Sequence, residues 1–103
     1  MAASRLINRN VVSRGGRTSM RLEPELWDAL LEVCEREGKD PSALVRGIEV
    51  ESEAIGRAGG RTSAVRVYLM AYYRAAATET GHIVAGHGKL ARARVGFGAR
   101  HAA

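Results

Sequence analysis

Residues 17–22, Arg-Thr-Ser-Met-Arg-Leu, alternate strictly. On an extended chain Thr18, Met20 and Leu22 fall on one side and Arg17, Ser19 and Arg21 on the other, which is the period-2 pattern of a half-buried strand. No other stretch of the sequence alternates as clearly. A lone strand leaves its backbone N–H and C=O groups without a ladder, so the pattern predicts that this segment pairs with a strand from outside its own chain. The expected source is a second copy, because a chain of 103 residues has a thin core of its own. Other staples are excluded: with one cysteine, Cys34, the chain can form neither an internal disulfide nor a cysteine-based zinc site.

The residues after the strand change period from 2 to 3.6. Pro24 suits the first turn of a helix, Glu23, Glu25 and Asp28 place negative charge at its positive end, and Leu26, Trp27, Leu30, Val33 and Cys34 recur on one stripe to about Glu37. Gly38 supplies the stop. Asp40-Pro41 reads as a cap followed by the first position of a second helix, whose apolar side is Ala43, Leu44, Ile48 and Ile55; Gly47 inside it suggests close helix packing. A Gly-rich loop over 56–60 precedes a third helix, capped by Thr62 or Ser63 and running from Ala64 to about Ala77, with Val65, Leu69 and Tyr72 on its main stripe and Val67 and Met70 beside them.

Charge is segregated. Residues 1–21 carry Arg5, Arg9, Arg14, Arg17 and Arg21 and no acid; the middle is mildly acidic; residues 80–103 carry Lys89, Arg92, Arg94 and Arg100 and again no acid. The segment 1–16, ending at Gly15-Gly16, reads as a flexible basic arm that could lie along phosphates or enter a minor groove; residues 17–79 form the folded domain; and 80–103, rich in Gly and Ala, reads as a basic and largely disordered tail. Two basic ends favour a polyanion, and nucleic acid is the commonest. No apolar run is long enough for a membrane span and no secretory signal stands at the start, so a cytoplasmic, nucleoid-associated chain is expected.

One short strand, a helix, a Gly turn and a second helix resemble the ribbon-helix-helix DNA-binding family. The resemblance is more specific to a small bacterial group within it. It rests on Arg17 to Leu30 (Arg-Thr-Ser-x-Arg-Leu-Glu-Pro-x-x-Trp-x-Ala-Leu), on Gly38, on Ser42 to Val45, and on Ser63 to Arg74 with its Tyr-Tyr pair. It covers roughly 17–75. It implies a mostly α fold, one strand followed by two helices and here a third, intertwined as a homodimer. The two strands of the dimer would form an antiparallel ribbon in the DNA major groove, with assembly to higher order on DNA. The expected role is that of a transcriptional repressor.

Under that resemblance Arg17, Ser19 and Arg21 contact bases. Their residue types fit independently: Arg matches guanine O6 and N7, Ser donates or accepts, and Arg17 and Arg21 stand about 13 Å apart on a strand. Ser42 and Ala43, at the start of the second helix, and Arg14 in the arm are the expected phosphate contacts. Met20, Leu22, Trp27, Leu30, Leu44 and Ile48 are the expected dimer core.

Other chemistry is thin. Trp27 and Tyr72 sit at core spacing, Cys34 lies on an apolar stripe, and His82 and His87, five apart, have no metal-ligand spacing. No nucleophile-base pair, paired carboxylates, P-loop or dinucleotide fingerprint occurs, so no enzyme, catalytic residue, metal or cofactor is expected. Two other readings compete: an antitoxin-like or adaptor module binding a protein through the third helix and tail, and a non-specific DNA coat driven by the basic ends.

Overall fold

The computed structural model describes residues 5–13 and 15–88, and the chain divides into two units, residues 1–72 and 73–103. Two strands open the first unit, not one. β1 (Ile7–Ser13) and β2 (Gly16–Leu22) form an antiparallel pair in which Ile7 faces Leu22, Val11 faces Thr18 and Ser13 faces Gly16. The strand at 17–22 is where its alternation places it, extended by one residue, but its partner comes from its own chain. The flexible arm expected over 1–16 is therefore corrected for residues 7–13.

The physical reason lies in the connection. Two residues join the strands, the length of a tight hairpin, and Gly16 has φ 114°, a conformation that only glycine adopts readily. The Ser13 hydroxyl ties the turn, accepting from the Gly15 N–H at 3.2 Å and donating to the Gly16 carbonyl at 3.1 Å. Val11 and Ser13 are both buried, so β1 adds to the core rather than trailing from it.

α1 (Pro24–Glu37) begins at the expected proline and ends at Gly38, whose φ of 68° lets its own N–H reach Glu35 O and that of Lys39 reach Cys34 O. α2 (Pro41–Ala54) is capped by Asp40, whose Oδ1 accepts from the Ala43 N–H at 2.8 Å. α3 (Arg61–Ala76) starts ahead of the expected cap, so Thr62 and Ser63 lie inside its first turn. In the second unit, α4 (Glu79–Val84) is started by Thr78, whose hydroxyl accepts from the Gly81 N–H at 2.9 Å. That helix corrects the expected disorder over its residues; 89–103, with the other basic residues of the tail, lie outside the described residues.

Among the described residues thirteen buried apolar ones form one core: Val11, Met20 and Leu22 from the hairpin, Trp27, Leu30, Val33 and Cys34 from α1, Leu44, Val45 and Ile48 from α2, and Ala64, Val65 and Leu69 from α3. The six side chains expected between two chains (Met20, Leu22, Trp27, Leu30, Leu44 and Ile48) are thus buried within one. Two expectations about α2 fail. Ile55 lies past the end of α2 and is 71% exposed. Gly47 is exposed, with nothing within 4 Å of where a Cβ would stand, so it marks no close packing. Polar ties join the elements: Arg66 Nη2 to Glu23 Oε1 at 2.9 Å, Arg61 Nε to Glu49 Oε2 at 2.7 Å, and the Tyr72 hydroxyl donating to Glu37 Oε2 at 2.7 Å. Burial raises the Cys34 thiol above its ordinary range, with the Asp40 charge adding to the shift, which suits a small core hydrophobe rather than a reactive thiol.

Candidate nucleic-acid interface

The register of the hairpin decides which side chains share a face, because cross-strand partners point the same way. Arg17 stands opposite Val12, Ser19 opposite Asn10, and Arg21 opposite Asn8. All six are exposed. The opposite face carries Met20, Leu22 and Val11 into the core. The outer face is therefore a two-stranded platform of two arginines, two asparagines, a serine and a valine, and the described residues from 5 to 22 include no acid.

Arg17, Ser19 and Arg21 are brought together as the alternation predicts. Asn8 and Asn10 were missed. One signal was available: a glycine pair between two β-rich segments is a hairpin mark. What hid it was Arg9, a charged residue on the inward side of β1, which breaks the alternation. Its guanidinium lies 5.2 Å from the centroid of the Trp27 ring, a cation–π contact that tolerates a charge there.

β1 is fastened to the helices. The Val12 N–H donates to Ser42 Oγ at 2.8 Å, Arg46 Nη1 donates to Val12 O at 3.2 Å, and Trp27 Nε1 donates to Ile7 O at 2.8 Å. Because the N–H and C=O of Val12 point outward, Val12–Arg17 is a non-hydrogen-bonded pair, and by the same parity so are Asn10–Ser19 and Asn8–Arg21. Side chains of such pairs stand closest together, so the face is dense in donors and acceptors. The backbone groups of Arg17, Ser19 and Arg21 consequently point to the far edge of β2.

The expected phosphate clamp at the start of α2 has a different occupation. Ser42 Oγ holds the β1 edge, the Ala43 amide is engaged by Asp40, and Pro41 has no N–H. Arg14 lies outside the described residues. Arg46, half-buried, is the cation that α2 presents beside the ribbon.

Among the described residues no group of three or more His, Cys, Asp or Glu could hold a metal ion, and no helix is long and apolar enough to cross a membrane. A family model described as a ribbon-helix-helix domain matches residues 6–73, a span that takes in β1 as well as the strand and helices read from sequence. No curated protein and no solved structure matches the chain.

Proposed function

The chain belongs to the ribbon-helix-helix family, and from that premise we propose that it is a sequence-specific DNA-binding protein, a transcriptional regulator acting as a repressor, whose hairpin enters the major groove. The family as a whole binds DNA in regulators and antitoxins and is not one of enzymes. The observation that carries the proposal is the outer face of the hairpin: Arg17, Ser19 and Arg21 interleaved with Asn8 and Asn10. Arg is suited to guanine and Asn to adenine, each in bidentate fashion. A major groove about 12 Å wide accepts a two-stranded ribbon. Arg46, beside the ribbon, is the proposed phosphate contact, and Arg14, outside the described residues, is kept as a second. A cytoplasmic, nucleoid-associated location follows from this role.

The homodimer is part of the proposal, but its seam moves. Joining two chains through the far edges of β2 would make a four-stranded sheet about 14 Å across before side chains are counted, too wide for the groove. The exposed apolar groove of Ile55, Val67, Tyr68 and Ala71, between the end of α2 and α3, joins two chains while leaving both ribbons outside. The same groove favours the second reading, an antitoxin-like adaptor that docks a protein there.

Selection of bound duplexes from a random pool, followed by sequencing, tests the function. Regulators enrich a short motif; a non-specific coat enriches none; an adaptor retains little DNA at physiological salt.

A further inference from the structure

The ribbon has two edges, and different helices stand beside them. Beside β1, α2 supplies Ser42 and Arg46. Beside β2, Thr62 and Arg66 of α3 stand with Ser19 and Arg21 around an open pocket of about 390 Å³. Its lining holds three arginines and no acid. One of the three, Arg61, turns to Glu49 of α2; Thr62 and Arg66, one helical turn apart, share a side of α3. Ser19 and Arg21 belong to the outer face of the hairpin, so the pocket is continuous with that face. Their backbone groups open on the same edge.

Arg66 is anchored and still available. Its Nε and Nη2 both donate to Glu23 Oε1, at 3.3 and 2.9 Å, which leaves Nη1 without a hydrogen-bond partner among the described residues. The side chain is 38% exposed. A guanidinium held on one side by a carboxylate presents its remaining N–H groups in a fixed direction, and a phosphate oxygen is the acceptor it matches best. A duplex that takes the ribbon into its major groove runs a phosphate backbone along each edge of the ribbon. On the β1 side Arg46 meets it; on the β2 side this pocket does. We infer that the pocket seats a backbone phosphate of the bound DNA, with Arg66 Nη1 and the Thr62 hydroxyl donating to its oxygens, so that the third helix as well as the ribbon holds the duplex. The inference rests on the DNA-binding reading of the hairpin and adds to it a contact outside both the hairpin and α2.

The test is a salt titration of DNA binding by the full chain and three variants, on the selected duplex and on a scrambled one, with circular-dichroism melts to show that each variant is folded. Arg66→Gln should lower the slope of log affinity against log salt by about 0.9 for each chain bound. It should weaken both duplexes by a similar factor of about tenfold, leaving the ratio between them unchanged. Thr62→Glu should weaken both at least as much; a carboxylate in the first turn of a helix favours the helix, so this variant keeps its fold while repelling phosphate. Glu23→Gln keeps an acceptor for Arg66 and removes a negative charge, so it should bind both duplexes as tightly as the parent or more tightly. An unchanged slope and affinity in Arg66→Gln would leave the pocket to a free anion or to water, and overturns the inference. Equal losses in Glu23→Gln and Arg66→Gln would make the pair a structural tie only, and overturn it as well. A chain that retains no duplex fails the functional reading itself; one that binds its duplex with these variants indistinguishable from the parent fails this inference alone.

Discussion

Arg21 and Met20 are adjacent in β2 and face opposite ways. Arg21 is exposed on the outer face; Met20 is 2% exposed in the core. Arg21→Ala should cost about 1–3 kcal/mol of specific DNA binding while leaving the melting transition in place. Met20→Lys puts an unpaired charge into the core and should abolish cooperative folding. Paired binding and circular-dichroism melts distinguish the two; the reverse pattern would mean that the faces are swapped by a one-residue register error. Tyr72 offers a check on α3. Its hydroxyl donates to Glu37, and that bond, with burial and the Glu37 charge adding to it, pushes its pKa up to about 12 from an ordinary 10.0. A pKa raised on folding stabilises below the unfolded value and is lost as pH rises through the folded one, so this contribution is complete below pH 10 and disappears towards pH 12. Ultraviolet titration should show a late tyrosine component to which Tyr68, raised chiefly by burial, also contributes, and Glu37→Ala should return the Tyr72 part of it toward its ordinary value. At this scale Arg17, Ser19 and Arg21 were legible from local alternation alone. Asn8 and Asn10 were not, because the residue between them is made tolerable on the inward side by the Trp27 ring, a tertiary partner twenty residues away that no local pattern announces.

The first three helices were readable as elements because their signals are local, whereas α4, lying in a stretch rich in Gly and Ala, was not. Pro24 and Gly38 bound α1, Asp40 and Pro41 open α2, and the stripes of Leu and Val match the buried sets. β1 was not readable, because a strand with one charged residue inward looks like a polar arm until its partner is known. The difference can be tested. A free arm could be removed without harm, whereas deletion of residues 1–15 here removes Val11 from the core and the Ile7 carbonyl from Trp27. The truncated chain should lose its cooperative melt and show solvent-exposed Trp27 fluorescence. A truncated chain that still melts cooperatively would restore the arm. Gly47 makes the complementary case: it is exposed in mid-helix with open space at its Cβ position. Gly47→Ala should therefore stabilise by about 0.5–1 kcal/mol in a denaturant titration.

For the whole molecule, closing the hairpin within one chain removes the strongest sequence reason for a dimer and leaves the apolar α2–α3 groove as the surface to be covered. Light scattering should give about twice the 11.1 kDa of one chain. Val67→Glu, at a residue 43% exposed, should halve that mass without unfolding the chain. A wild-type monomer that keeps its fold would move the groove to the adaptor reading. The central claim, that the outer face of the hairpin reads DNA, is tested most directly by mapping a selected duplex onto the protein by NMR, following the side-chain amides of Asn8 and Asn10 and the guanidinium N–H groups of Arg17 and Arg21. The account predicts that these resonances shift together on adding the selected duplex, shift far less with a scrambled one, and leave Val67 and Met70 unmoved. Tight binding with the hairpin resonances unchanged and the footprint on α3 would contradict it.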